Sequence, residues 1–443
     1  MPHEPTESEG FLSDPPTSPQ SSFAEFEHHT LPEWALVRQR LDAAEIDDVE
    51  GAVRAALEPV MPTVRPGMRV CLGVGSRGID RIDRVVRAVV DRMQEAGANV
   101  FIVPAMGSHG GATAEGQREV LAEYGVTPER MGCEIRSSME TVTLGELRPG
   151  VPVFIDRNSF EGADLIVPIN RVKVHTDFKG PIESGLMKMI AIGFGKQKGA
   201  DTYHAQGFST FADLIPAVGA FSLAHAPIPF GLALLENGHA RLFHVEAVPA
   251  GRIAAREPEL LRLATERLGR IPIPEIDVLI VDRLGKDVSG LGMDSNVVGR
   301  YYTGPTGVPP SVQRIVVRDL TDETAGNAVG LGMADVALRT AVEKIDRHKT
   351  YMNCITAKTP EGARIPLTVA CDREAVDVAL ACCLRVDAAT ARIVRIADTK
   401  HLELMLVSAP LLPALLAGGR AEIVEPPHAI AFDADGMFVD ALR

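Results

Sequence analysis

One glycine-rich stretch, residues 171–205, gathers the side chains best suited to chemistry. Its candidate ligand-binding residues are His175, Lys188, Lys196, Lys198 and His204. Glycine lets a ligand approach the backbone closely, and lysine suits phosphate. Paired histidines suit either metal ligation or proton transfer near neutral pH. The stretch therefore predicts a ligand site, with a basic surface loop as the alternative.

Further polar residues follow the ends of predicted strands. Ser76 and Arg77 follow RVCLGVG (69–75), His109 follows NVFIVPAMG (99–107), residues 170–175 follow ADLIVPIN (163–170), and Lys286 follows IDVLIVDRLG (276–285). In open α/β sheets, ligands bind beyond the carboxyl ends of the strands. We therefore expect these residues to meet in one cleft between two domains.

Three loops are candidate anion sites. His109 lies in a glycine-rich turn before a predicted helix, where backbone N–H groups can face an anion. In GKDVSGLGMDSNVVGR (285–300), Lys286 and Arg300 are cations that suit a carboxylate. GFGKQKGAD (193–201) lacks the GxxxxGK[ST] pattern, so it does not predict a nucleoside triphosphate site. It remains a candidate cradle for another phosphate.

Composition limits the classes of function. A net charge of −14 argues against a nucleic-acid partner, because no basic surplus neutralises phosphates. The sequence contains no run of about 18 apolar residues, so a membrane span is not predicted. The six cysteines form no CxxC pair, which favours a reduced, cytoplasmic protein. The first thirty residues contain no lysine or arginine and resemble a disordered acidic tail more than a signal peptide.

Alternating strand and helix patterns predict an α/β protein of two domains. The expected divisions are an acidic tail (1–30), an N-terminal α/β domain (31–273), a C-terminal α/β domain (274–420), and a last segment (421–443) that could return to the first domain. We expect a Rossmann-like, mostly parallel sheet in the first domain. Helices are predicted over 81–98, 113–125, 208–226 and 332–346, with Thr113 as an N-cap.

Taken together, His109 in GSH, His175, Lys188 in GLMKM and His204 resemble the lactate racemase family, whose members use a nickel-pincer nucleotide. The sixteen-residue spacing from Lys188 to His204 fits that family. The resemblance implies that His109 and His175 are an acid–base pair, that Lys188 attaches the cofactor covalently, and that His204 ligates nickel. It also implies that maturation proteins supply the cofactor.

The resemblance is to a divergent branch. Arg77 matches the arginine of the family's DxTR motif, but Val74 stands in place of its aspartate. The family's Tyr–Gln pair is replaced near Val298 and Gly299. These departures favour a racemase or epimerase acting at C2 of a 2-hydroxy acid other than lactate, such as a sugar acid. The expected carboxylate contacts are Arg77, Lys286 and Arg300, and the expected cofactor contacts besides Lys188 are Ser76, Arg77, Lys196 and Lys198.

Two other classes of function fit the same residues. In one, His109, His175 and His204 bind zinc or iron directly in a hydrolase or lyase. In the other, the chain is a nucleotide-binding protein without catalytic activity. Neither alternative requires a modified lysine.

Overall fold

The structure is a computed structural model and describes residues 28–75, 78–302 and 309–442. The strands are β1 (Glu33–Gln39), β2 (Arg69–Val74), β3 (Asn99–Pro104), β4 (Glu134–Ile135), β5 (Thr141–Arg148), β6 (Val151–Asp156), β7 (Leu165–Arg171), β8 (Phe230–Glu236), β9 (Leu242–Pro249), β10 (Glu275–Leu284), β11 (Ser311–Leu320), β12 (Val336–Leu338), β13 (Leu367–Val369), β14 (Ile393–Ile396), β15 (Leu404–Ser408) and β16 (Ala421–Ala429).

The α-helices are α1 (Val49–Leu57), α2 (Ile82–Glu95), α3 (Ala114–Glu123), α4 (Pro128–Met131), α5 (Arg157–Gly162), α6 (Leu186–Lys188), α7 (Lys196–His204), α8 (Phe211–His225), α9 (Ala250–Arg267), α10 (Ser295–Val298), α11 (Arg339–Glu343), α12 (Arg347–Ala357), α13 (Asp372–Ala381) and α14 (Leu412–Ala417). A single π-helical turn, Met189–Gly193, follows α6 directly.

The first sheet has the strand order β4-β3-β2-β7-β8-β9. Its strands are parallel from β4 to β8, and only the hairpin partner β9 is antiparallel. Strands β2 and β8 are buried along almost their whole length, as expected for a parallel sheet covered on both faces. The predicted α/β class and mostly parallel first sheet are confirmed. Thr113 caps α3, since its hydroxyl accepts from the Gly116 N–H.

The second sheet has the order β13-β12-β11-β10-β14-β15-β1-β16. Here β1 pairs with β15 on one side and β16 on the other. The predicted boundaries therefore differ from the sheets at both ends. β1 was assigned to the first domain, and residues 421–443, which could have returned there, contribute β16 to the second sheet. Trp34 explains the arrangement, since it is fully buried, packs against Phe438 with ring centroids 5.2 Å apart, and donates from Nε1 to Asp440 at 2.9 Å.

One predicted helix also differs. Residues 332–346 contain β12, which lies between β11 and β13, and only then the short helix α11. Three fully buried residues suffice for this parallel strand, and so short an apolar run cannot be told from a helix by periodicity.

Among the described residues, no single helix is long and apolar enough to cross a membrane. The pair Lys196–His204 and Phe208–His225, bent by 94°, passes that test by length and composition only.

Gly73 on β2 permits the closest approach of the glycine-rich stretch to the first sheet. A Cβ at this position would lie 2.1 Å from Cζ of Phe194, a fully buried side chain that follows the π-helical turn. We predict that Gly73→Ala lowers the free energy of unfolding by about 1–3 kcal/mol, because the phenyl ring has to move. Urea unfolding would measure this. Gly251→Ala, where a Cβ meets nothing within 4 Å, is the control, and equal stability of the two variants would contradict the prediction.

Candidate active site

A cavity of about 190 Å³ lies between the two sheets and adjoins a larger cleft of about 990 Å³. Its walls include His109, His175, Lys188, His204 and Lys286. These residues come from the carboxyl ends of β3, β7 and β10 and from the segment containing α6 and α7. The structure therefore brings together residues that are up to 177 positions apart, at the edge where parallel strands end.

His175 is 4% exposed and is held on both its backbone and its ring. Its N–H donates to Glu183 Oε2 at 2.6 Å, and its Nδ1 accepts from the Asp177 N–H at 3.0 Å. The Asp177 carboxylate is farther away, at 3.7 Å from Nδ1. The other ring nitrogen, Nε2, contacts Nζ of Lys188.

Lys188 ends the one-turn helix α6, where the chain changes to the π-helical turn. Such turns are frequent at functional sites. Glu257 on α9, only 1% exposed, accepts from the Met187 N–H at 3.0 Å. Gly185 fits against Glu257 only because it lacks a Cβ, which would lie 2.1 Å from Oε1. Burial raises the pKa of Glu257 to about 7, against the opposing effect of the Met187 and Leu186 backbone hydrogen bonds.

His204, at the end of α7, packs against two phenyl rings that also contact each other. Its ring stacks on Phe211 at an interplanar angle of 11°, and Phe208 has its centroid 5.4 Å away. Within the described part of the chain, its buried Nδ1 has no hydrogen-bond partner. Burial, and then the charges of Lys188 and Lys358, lower the pKa of His204 to about 4. At neutral pH the imidazole is therefore uncharged, which is the form that binds metals.

His109 follows β3 in the predicted turn and begins the 3-10 turn Gly110–Ala112. Gln117, fully buried on α3, holds this turn by donating to the backbone oxygens of Gly107 and His109. The His109 side chain is exposed and lines both the cavity and the larger cleft. It therefore faces the space in which a ligand would contact His175.

Comparison with known proteins agrees with this geometry. Residues 27–212 match the family model for the lactate racemase N-terminal domain. This part of the chain therefore carries a domain of the lactate racemase N-terminal type. The lactate racemase apoprotein from Thermoanaerobacterium thermosaccharolyticum has a TM-score of 0.53 at 15% identity, over 83% of this chain and 94% of that chain, which shows a common fold. The structure of VinN with L-aspartate has a TM-score of only 0.12, at 11% identity over 79% and 66% of the chains. No curated protein sequence matches significantly.

Three cations predicted to contact ligands lie outside the cavity. Lys196 is 0% exposed, forms an ion pair with Asp156 at 3.3 Å and donates to the Pro104 carbonyl. Lys198 is exposed, with Nζ 4.6 Å from the Phe154 ring. The Arg300 guanidinium is engaged by Asp335 and by the Met333 and Gln313 carbonyls. The structure therefore does not support phosphate contacts by the two lysines or a carboxylate contact by Arg300.

Of the other residues predicted to contact a ligand, one lines the cavity and two lie outside the part of the chain that the structure describes. Lys286 does line the cavity, where its Nζ donates to the Gly290 carbonyl at 2.7 Å and to Asn353 Oδ1 at 2.8 Å. Ser76 and Arg77 lie outside the described residues.

The sequence reasoning missed several residues that line the cavity. Lys173 lies on the wall two positions before His175, and Asn353 and Thr356 contribute from α12. The alternation in RVKVH could have revealed Lys173, since alternate residues of an extended strand share a face. No local pattern marks Asn353 or Thr356, because α12 lies far along the chain and meets the cavity only in the folded structure.

The arrangement does not favour direct metal binding by three histidines. Among the residues that the structure describes, no group of three or more His, Cys, Asp or Glu side chains is arranged to hold a metal ion. A metal bound through His204 would therefore need most of its ligands from a cofactor.

The burial of Lys196 predicts a structural role. Lys196→Met should lower the free energy of unfolding by about 3–5 kcal/mol, because it leaves the buried Asp156 without its cation. Lys198→Ala, two residues away and exposed, should leave the free energy unchanged. Chemical denaturation of both variants checks this, and a fully stable Lys196→Met protein would contradict it.

The low pKa of His204 predicts a pH-dependent cost to folding. An unfolded chain protonates this ring near its usual pKa of about 6.5, whereas the folded protein protonates it only near 4. The unfolded state thus binds more protons between these values, so His204 costs stability as the pH falls through that window. Relative to wild type, His204→Gln should gain about 1–2 kcal/mol of stability between pH 8 and pH 5.

Urea unfolding of the cofactor-free proteins at both pH values measures this gain. His204→Asn should give the same difference, which would exclude an effect peculiar to glutamine. A stability difference that stays constant from pH 8 to pH 5 would show that the folded ring titrates normally.

Proposed function

We propose that this protein is a racemase or epimerase that inverts C2 of a 2-hydroxy acid with a nickel-pincer nucleotide. The observation that carries the proposal is the single cavity that collects His109, His175, Lys188 and His204. The match of residues 27–212 to the lactate racemase N-terminal domain supports the same reaction class. Maturation proteins that supply the cofactor and a cytoplasmic location belong to this proposal.

The residues present fit the cofactor. His204 offers an uncharged ring with an unsatisfied buried nitrogen, as a nickel ligand requires. Nζ of Lys188 lies in the cavity wall beside Nε2 of His175, where a bound nucleotide can reach it, and a lysine amine is a nucleophile once it has lost its proton. Lys188 would thus hold the nucleotide covalently, with His204 on the metal. When bound, the cofactor supplies the group that accepts hydride from C2 and returns it.

His109 and His175 serve as the proton-transfer groups. Inversion places the substrate hydroxyl on the opposite side of C2, so two bases are needed, one for each enantiomeric configuration. Free imidazole titrates near neutral pH, which allows each histidine to take the hydroxyl proton in one direction and return it in the other. The Asp177 N–H bonds to Nδ1 and so fixes the orientation of the His175 ring, which lines the cavity.

The substrate is proposed to be larger and more polar than lactate. Lys286 and Lys173 supply cations for its carboxylate, and Arg77 remains a proposed contact from outside the described residues. Asn353 and Thr356 offer amide and hydroxyl groups to further hydroxyls. The adjoining cleft of about 990 Å³ leaves space for the rest of a sugar acid.

Intact mass and metal analysis of the protein purified from its native source test the cofactor. We expect nickel and an added mass of nucleotide size on the peptide that contains Lys188. Lys188→Ala should lose the added mass, and His204→Ala should bind less nickel. Zinc or iron without a modified lysine would instead support a directly ligated metal hydrolase.

Racemisation assays on aldonates and lactate test the reaction. The purified holoenzyme should epimerise an aldonate at C2, and turnover of lactate alone would refute a sugar-acid substrate. His109→Ala and His175→Ala should each lower kcat by about 100-fold or more, since each removes a proton-transfer group. Both variants should keep the mass added at Lys188 and a wild-type circular dichroism spectrum. Full activity in both would contradict the assigned roles.

A further inference from the structure

We propose that Asn296 is a positioning residue that fixes the backbone of His175 across the cleft. The first unit is here the first sheet with its helices, the second unit is the second sheet with its helices, and Asn296 belongs to the second. The inference rests on the proposed function only for its consequence in catalysis. Asn296 belongs to α10, whereas His175 follows β7 of the first unit. The two residues are 121 positions apart and are joined by a hydrogen bond from Asn296 Nδ2 to the His175 carbonyl at 3.2 Å.

The surroundings of Asn296 determine how its amide points. On one side, Nδ2 donates to two acceptors, the His175 carbonyl and Asp294 Oδ1, the latter at 2.7 Å. On the other side, Oδ1 accepts from Lys179 Nζ and from the Tyr301 hydroxyl. Two acceptors face two donors, and an amide of this length satisfies both. A carboxylate would place oxygen against oxygen, and an apolar side chain would leave buried groups unpaired.

Asp294 keeps its charge and so reinforces this orientation. Burial opposes its ionisation, but nearby Lys173 and the bonds from Asn296 lower its pKa below the ordinary value. Lys173 Nζ lies 3.6 Å from Asp294 Oδ2, which makes a further contact from the first unit to the second. With Asn296 6% exposed, these contacts are protected from water and geometrically restrictive.

The carbonyl of His175 matters because it belongs to the turn that holds the imidazole. The Asp177 N–H that bonds to Nδ1 lies two residues further along the same turn. Glu183 fixes the N–H of His175 from within the first unit, and Lys179 and Asn296 fix its carbonyl. Without Asn296, the peptide after His175 loses the anchor from the second unit, so the direction of Nε2 becomes less restricted.

Asn296→Ala and Asn296→Asp test this role, with Tyr301→Phe as the matched control. The control removes one donor to Oδ1 but leaves the bond to His175 intact. Since misplacement of a reacting group by about 1 Å can cost 100-fold, both Asn296 variants should lower kcat by about 10- to 100-fold. KM and the mass added at Lys188 should change little, and Tyr301→Phe should match wild type.

Hydrogen exchange of the cofactor-free proteins supplies a readout that does not depend on activity. Amides in residues 175–183 should exchange roughly tenfold faster in both Asn296 variants, and not in Tyr301→Phe. Wild-type exchange in the Asn296 variants would overturn the inference. If wild-type protein turns over no 2-hydroxy acid, the proposed function fails, and the exchange result still decides whether Asn296 positions the turn. If one of the two Asn296 variants does not fold, the exchange rates of the other decide the inference.

Discussion

Two buried carboxylates hold the irregular backbone that carries the candidate chemistry. Glu183 accepts from the N–H groups of His175 and Gly180, and Glu257 accepts from the N–H of Met187. This backbone lies outside the strand ladders, so its buried donors would otherwise remain unpaired, at about 1–3 kcal/mol each. Glu183 therefore fixes the turn that carries His175, and Glu257 fixes the helix that carries Lys188. Together they determine how close the His175 and Lys188 side chains lie.

Burial also determines the charge of the cavity. Removing an imidazole from water favours its neutral form, and the neighbouring Lys188 and Lys358 act in the same direction on His204. The unsatisfied Nδ1 costs folding free energy, which a packing residue at this position would avoid. An unpaired buried nitrogen lowers the stability of the folded protein, but it is available to bind a metal. Residues that lower stability in this way are expected at functional sites. The same residue thus links the cost in stability to the proposed binding of nickel.

The sequence predicts the elements of the first sheet well because their signals are local. Strands β2 and β3 with helix α2 between them show the expected periodicities, and the resemblance selects His109, His175, Lys188 and His204. The position of β1 was not predictable in this way, since its partners β15 and β16 lie more than 360 residues away. The predicted cofactor contact of Lys196 was wrong for another reason. A lysine in a glycine-rich loop has the same local sequence whether it faces a ligand or, as here, the buried Asp156.

The two units contribute differently to the candidate site. His109, His175, Lys188 and His204 all fall within residues 27–212, the part that matches the lactate racemase N-terminal domain. The facing wall, with Lys286, Asn353 and Thr356, comes from the second unit and lies outside that match. Under the proposed function, the first unit holds the reacting carbon and the second contacts the rest of the substrate. Divergence in the second unit can therefore change the substrate while the proton-transfer groups stay in place. Asn296 limits this freedom, because it belongs to the second unit and also anchors His175.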